Sequence, residues 1–271
     1  MEYRILGKTG LKISRMGFGG IPIQKIDEEG TRKLLHEMME MGVNYIDSAR
    51  GYTVSEQYIG YGLEGIRDKF VLATKSMSRT KEAMAADIET SLGNFRTDYI
   101  DLYLIHWPAN GYEKAWKDME EIYKTGKVKA IGVSNFNIHH LETLSKIWEV
   151  VPAVNQIEVH PYYSNIANVE YSQKLGITVE AYSPLGGNGA RTLQDPVIIE
   201  LAQKYSQTPA QVVLRWNLQR NIVVLPKSIH KDRIISNYDV FDFTLSDEDM
   251  KLINALNKDA KVGSDPDNFN F

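Results

Sequence analysis

Eight short apolar runs alternate with helix-like stretches along this 271-residue chain, and no other feature restricts its fold as tightly. The runs occupy residues 16–18, 43–46, 70–73, 100–105, 129–133, 153–157, 178–181 and 222–225. Valine, isoleucine, leucine and tyrosine fill them with little polar alternation, as expected of strands buried on both faces of a parallel sheet. Ahead of them, residues 3–6 and 11–14, joined by the turn 7–10, read as a small hairpin. Between the runs the helices announce their ends. Asp27 can cap a helix whose apolar positions include Leu34, Leu35, Met38 and Met41, stopping at Gly42. Thr208-Pro209-Ala210-Gln211 is a capping box, with Val212, Val213 and Trp216 following on one face. Ser246 can cap a helix carrying Met250, Ile253 and Leu256. Strand and helix alternating eight times favour a closed (β/α)8 TIM barrel over an open sheet. The length suits one domain spanning 1–271, since such barrels commonly take about 250 residues.

Composition removes several classes of function. The chain has no cysteine, which excludes disulfide scaffolds, cysteine-ligated zinc and thiol catalysis. A net charge of −4 offers no electrostatic footprint for nucleic acid or an anionic membrane. The opening MEYRILGKTG has no apolar signal core, and no run is long enough to span a bilayer. A soluble, cytoplasmic enzyme or binding domain is the expectation.

The barrel reading places functional groups at the C-terminal ends of strands. Polar residues collect there. Asp47, Lys75 and His106 follow strands two, three and four; Ser134 and Asn135 follow strand five; Gln156 ends strand six. Tyr182 and Ser183 follow strand seven, and Lys227 and Ser228 follow strand eight. With Tyr52 five residues after Asp47, an acid, a phenol, a lysine and a histidine come from successive strand ends, which is what proton transfer to a carbonyl needs.

These strings resemble the aldo-keto reductase family over nearly the whole chain. The matching stretches are LGKTGLKISRMGFGG, the Asp47–Tyr52 pair followed by Glu56, LATK, DLYLIHWP, GVSNF, NQIEVHP, AYSPLG and LPKS. The tail DPDNFNF is similar to bacterial members that reduce keto sugars and small carbonyls. The resemblance implies metal-free hydride transfer from NADPH to an aldehyde or ketone. It makes Tyr52 the proton donor, Lys75 the cation that lowers the phenol from its usual pKa of about 10, Asp47 the partner of Lys75, and His106 the group orienting the carbonyl. For the cofactor it implies Gly20 and Ile21 beside the nicotinamide, Ser134, Asn135 and Gln156 on its carboxamide, and Tyr182 under the ring. Ser183, Leu185 and Gly186 fall to the pyrophosphate, Lys227, Ser228 and Arg233 to the ribose phosphate, and Asn237 to the adenine. Ile21, Tyr52, His106, Trp107 and Phe269 would line the substrate site.

The chain departs from the family's pattern in places. Ser236 stands where many members have an acid on the adenine, and Ser76-Met77-Ser78-Arg79 after Lys75 lacks a pocket tryptophan. The loop after His106 is short, ending near Tyr112. A more open pocket for small, polar carbonyls follows, in a protein expected to be a monomer. The chain end, Asn268 to Phe271, is expected to cover the barrel mouth with Phe269 or Phe271. His139-His140 read as a solvated or packing pair, and His160 as structural. The rival reading is a barrel that binds NADPH as a redox sensor or regulatory subunit with negligible turnover.

Overall fold

The computed structural model describes residues 1–187 and 191–269. It opens with an antiparallel hairpin of β1 (Tyr3–Ile5) and β2 (Lys12–Ser14). Then come β3 (Phe18–Gly19), α1 (Glu28–Glu40), β4 (Tyr45–Asp47), α2 (Ser55–Gly62), β5 (Val71–Ser76), α3 (Lys81–Phe95), β6 (Leu102–Ile105) and α4 (Tyr112–Tyr123). The second half holds β7 (Ile131–Ser134), α5 (Ile138–Ser145), β8 (Val154–Glu158), α6 (Ile166–Lys174), β9 (Thr178–Tyr182), α7 (Pro196–Lys204) and α8 (Pro209–Gln219). It closes with β10 (Val223–Val224), α9 (Lys231–Tyr238) and α10 (Asp247–Asn254).

Strands β3 to β10 pair in parallel, each with its neighbour in sequence. The seam between the first and last is closed by a bridge from Met16 to Val224, and Gly19 N donates to Pro226 O at 3.2 Å. The expected (β/α)8 barrel is therefore present, with all eight strands near their expected places. Several bounds differ by a few residues. The first run shifts to Phe18–Gly19, because Met16 and Gly17 sit at the seam and make only isolated contacts with Val224. At the other ends, Asp47, Ser76, Glu158 and Tyr182 extend their strands, because backbone pairing does not require an apolar side chain.

The helix caps follow the sequence signals. Asp27 accepts from Gly30 N, Thr208 from Gln211 N and Ser246 from Asp249 N. Inside the barrel, the hairpin closes the end opposite the site: Leu6 and Ile13 are fully buried and cluster with Leu102, Leu104, Val154 and Val223. At the other end the chain's last described residues cross the mouth, with Pro266–Asn268 forming a 3-10 turn and Phe269 stacking on Trp107 at 3.8 Å between ring centroids. Phe271 lies outside the described residues.

One close approach fixes α2 against α3. A Cβ on Gly60 would fall on the Asn94 carbonyl oxygen and lie 2.7 Å from Phe95 Cα, both backbone atoms that cannot swing away. Alanine would otherwise gain about 1 kcal/mol in helix propensity. Overpacking should win, so Gly60→Ala should lose about 1–3 kcal/mol of stability in urea denaturation. An unchanged or raised midpoint would show that the two helices can separate freely.

Candidate active site

Lys75 is a buried charge inside the barrel, its side chain 0 % exposed. It comes from β5 and faces Asp47 on the neighbouring β4. Its three N–H groups are all committed: to Asp47 Oδ1 at 2.6 Å, Asp47 Oδ2 at 2.7 Å and the Ser48 carbonyl at 2.6 Å. Burial works against the ammonium, but Asp47 and Tyr52 outweigh it and raise the Lys75 pKa. The cation is fixed, paired and dry.

Tyr52 sits in the loop between β4 and α2, with Lys75 Nζ 5.3 Å from its ring centroid. That loop is held from two sides. Glu56 accepts from Arg50, Thr74, Ser91 and Asn94, while Gly20 N donates to Asp47 O at 2.7 Å. Burial pushes the Tyr52 phenol up, Lys75 pulls it down and Asp47 pushes it up again; the net is upward. The lysine thus acts in the expected direction but does not by itself bring the phenol below its ordinary value. His106 packs edge-on to Tyr52, with ring centroids 6.2 Å apart. Burial, then Lys75 and Arg79, push its pKa down to about 3, so the imidazole is neutral over the whole working range.

Both N–H groups of the Gln156 amide are spent on acids, at 2.9 Å to Asp47 Oδ1 and 2.9 Å to Glu180 Oε2. That leaves only its side-chain carbonyl for any further partner. Ser134 donates to the Gln156 carbonyl of the main chain, and Tyr182 OH donates to Asn135 Oδ1 at 2.8 Å. Asn135 and Ser183 both adopt left-handed φ, 66° and 47°, a region that asparagine enters readily and serine rarely. These groups line one cavity of about 320 Å3 together with Gly20, Ile21, Asp47, Tyr52, His106, Trp107, Gly263 and Ser264.

From that cavity a groove runs outward. Ser183 and Lys227 belong to both the central cavity and a second one lined by Leu185, Gly187, Arg191 and Arg233. Lys227 and Arg233 continue into a third with Lys25, Ser228 and His230. Neither outer cavity has an acidic lining residue, and Lys25, Lys227, Arg191 and Arg233 make no ion pair among the described residues. Gly186 forms the turn after Ser183, with φ +85°, and Asn237 is buried on α9, the helix that carries Arg233.

Most of the expected residues thus line one cavity and its groove, whereas Lys75, Gly186, Asn237 and Phe269 are not among the lining residues. Sequence reasoning missed Lys25, Arg191, Gly263 and Ser264 in the linings, and Glu158 and Glu180 behind them. Strand period was the available signal for the two acids: Glu158 shares a strand face with Gln156, and Glu180 with Tyr182. His139, His140 and Asp267 form a cluster near the tail. His140 Nδ1 accepts the Asn137 amide, so its Nε2 carries the proton and has no lone pair for a metal.

A sequence model of the Aldo/keto reductase family matches residues 15–258. An "uncharacterized oxidoreductase YtbE" of Bacillus subtilis is 44% identical over 241 residues, covering 85% of this chain and 85% of that protein. The glyoxal reductase of the same organism is 40% identical over 269 residues, covering 97% and 96%. Among solved structures, an aldo-keto reductase of Bombyx mori in complex with NADP superposes with a TM-score of 0.88 at 30% identity, covering 97% of this chain and 95% of that one.

Glu180 gives the site a pH signature. Burial first, then Asp47, push its carboxyl up to about 7. Between the ordinary carboxylate range and about 7, the folded protein keeps a proton that the unfolded chain has released. The folded state binds more protons, so stability falls as pH rises through this window. Glu180→Gln cannot ionise and should escape that fall: its stability relative to the wild type should be greater at pH 8 than at pH 5. Urea denaturation at both pH values decides this. Parallel wild-type and variant curves would mean that Glu180 does not titrate there.

Proposed function

The chain belongs to the aldo/keto reductase family, and we propose that it is an NADPH-dependent reductase of small aldehydes and ketones, with Tyr52 as proton donor. The observation that carries this reading is spatial. Tyr52 and His106 face one cavity above the buried Asp47–Lys75 pair, and that cavity opens into a groove lined by cations that have, among the described residues, no acid in the lining and no ion-pair partner. Such a groove suits the phosphates of a dinucleotide, and its cationic end suits the extra phosphate of NADPH. Relatives support the class. One is a glyoxal reductase, and a structural neighbour was solved with NADP.

NADPH, once bound, supplies the hydride that the carbonyl carbon accepts. Lys227, Ser228 and Arg233 would grip the ribose phosphate, Asn237 the adenine, and Ser183, Leu185 and Gly186 would border the pyrophosphate. Arg191 and Lys25 add charge along that path. Gln156 would offer its carbonyl oxygen, and Ser134 and Asn135 their polar side chains, to the carboxamide. Tyr182 would lie under the ring, with Gly20 and Ile21 at its side.

Tyr52 moves the proton. As negative charge develops on the carbonyl oxygen, the Tyr52 O–H bond breaks and the proton passes to that oxygen. Lys75, fixed by Asp47, stabilises the phenolate left behind. A phenol raised above its ordinary value is fully protonated at neutral pH, so the donor is loaded. His106, neutral, can offer an N–H to the same oxygen without competing as a charged acid. Ile21, Trp107 and Phe269 would form the apolar walls of the substrate site.

The test is NADPH oxidation with a panel of small aldehydes, ketones, dicarbonyls and keto sugars. Several should be turned over by the wild type. Tyr52→Phe should cut turnover by about 10²–10⁴-fold, or more, while NADPH binding, followed by tryptophan fluorescence, changes little. A variant at near wild-type rate would remove Tyr52 from the role, and a wild type inert toward the whole panel would remove the reductase reading.

A further inference from the structure

Glu158 ends β8, two residues beyond Gln156, and its side chain is 0 % exposed. A carboxylate taken out of water must be met by donors. Three meet it. His160 Nε2 and Val262 N approach Oε1 at 2.9 Å and 2.7 Å, and Gly263 N approaches Oε2 at 2.7 Å. Because a carboxylate only accepts, the His160 proton sits on Nε2. Burial would push the Glu158 acid up, but the bonds from His160, Val262 and Gly263 hold it below its ordinary value.

Two of those three donors belong to a segment more than 100 residues later in the chain. The same segment walls the central cavity through Gly263 and Ser264. Its fit is tight. A Cβ on Gly263 would stand 2.8 Å from Glu158 Oε2 and 3.0 Å from Tyr182 OH. Further contacts guide the segment but fall on either side: Lys258 N and Ala260 N donate to Tyr162 O, and Asn137 Nδ2 donates to Asp267 Oδ1. Between them, the Val262 and Gly263 amides are met by Glu158.

We propose that Glu158 is a specificity-determining positioning residue: its carboxylate latches Val262 and Gly263, and so sets Gly263 and Ser264 as the substrate-side wall above Tyr52 and His106. The latch itself is a statement about structure; only its consequence for substrate choice rests on the reductase reading. Bonds of this kind, short and charge-assisted, are strong and directional. Removing the charge leaves a wall that no longer has one place to stand.

Glu158→Gln keeps the size of the side chain but turns an N–H2 group toward one of the tail amides, donor against donor. Amide hydrogen exchange at Val262 and Gly263, read by NMR, should speed up by about tenfold or more, the change expected from losing one charge-assisted bond. KM should rise for the carbonyls the wild type prefers, while NADPH affinity stays near the wild-type value. Gly263→Ala leaves the carboxylate in place but denies the tail its seat, and should give the same pair of changes. In a chain cut after Lys261, Glu158→Gln should have no further effect on KM. Unchanged exchange and KM in both variants, with only a lower melting temperature, would reduce Glu158 to a structural acid and overturn the proposal. A KM effect that persists at full size in the shortened chain would do so as well. Were the wild type to reduce no carbonyl, the functional reading would fail, and the two amides would still decide the latch.

Discussion

The site depends on a lysine charge kept where water cannot reach it. An isolated buried ammonium would give up its proton, and a buried pair is tolerated only when geometry and further hydrogen bonds are good. Lys75 meets that condition because β4 and β5 lie side by side in parallel register, which sets Asp47 against it, and because the Ser48 carbonyl takes its third proton. Much of the surrounding architecture preserves this arrangement. Gln156 braces Asp47 from β8, and Glu180 braces Gln156 from β9. The hairpin closes the far end, so the interior around the pair has one open side.

That open side is built by loops and by the last segment of the chain. Tyr52 comes from a loop pinned by Glu56, Trp107 from the short loop after β6, and Gly263 from the last segment of the chain. None of these is held by the sheet ladder. Each is instead tied down by a polar side chain: Glu56, which also holds Thr74 of β5, for the first, the half-buried Arg79 on the Trp107 carbonyl for the second, and Glu158 of β8 for the third. A barrel can keep its chemistry while such loops and tails change, because the strands carry stability and the connections carry recognition.

The sequence made the barrel readable because its strands are buried on both faces and so stand out as apolar runs, and because Asp27, Thr208 and Ser246 mark helix starts with local chemistry. Asp47, Lys75 and His106 were readable for a related reason: each is a polar residue where such a run ends. Glu158 and Glu180 were not. Glu180 lies inside a strand and Glu158 at the end of one, and what makes them matter is a partner on another strand or on the distant tail. The Tyr52 proton affinity was half readable: the lysine's pull follows from residue types, whereas the larger opposing effect of burial exists only once the loop has folded over it. The unpaired state of Lys25 and Arg191 is likewise a property of the assembled groove, not of local pattern.

The central claim is that the charge of Lys75, and not merely its bulk, enables proton donation by Tyr52. Removing the lysine alone would strand Asp47, so the direct measurement uses the neutral pair Asp47→Asn/Lys75→Met. Single-turnover hydride transfer from saturating NADPH should fall by about 10²-fold or more, while the Kd for NADPH stays within about tenfold of the wild type. Hydride transfer at the wild-type rate in this neutral pair would contradict the account.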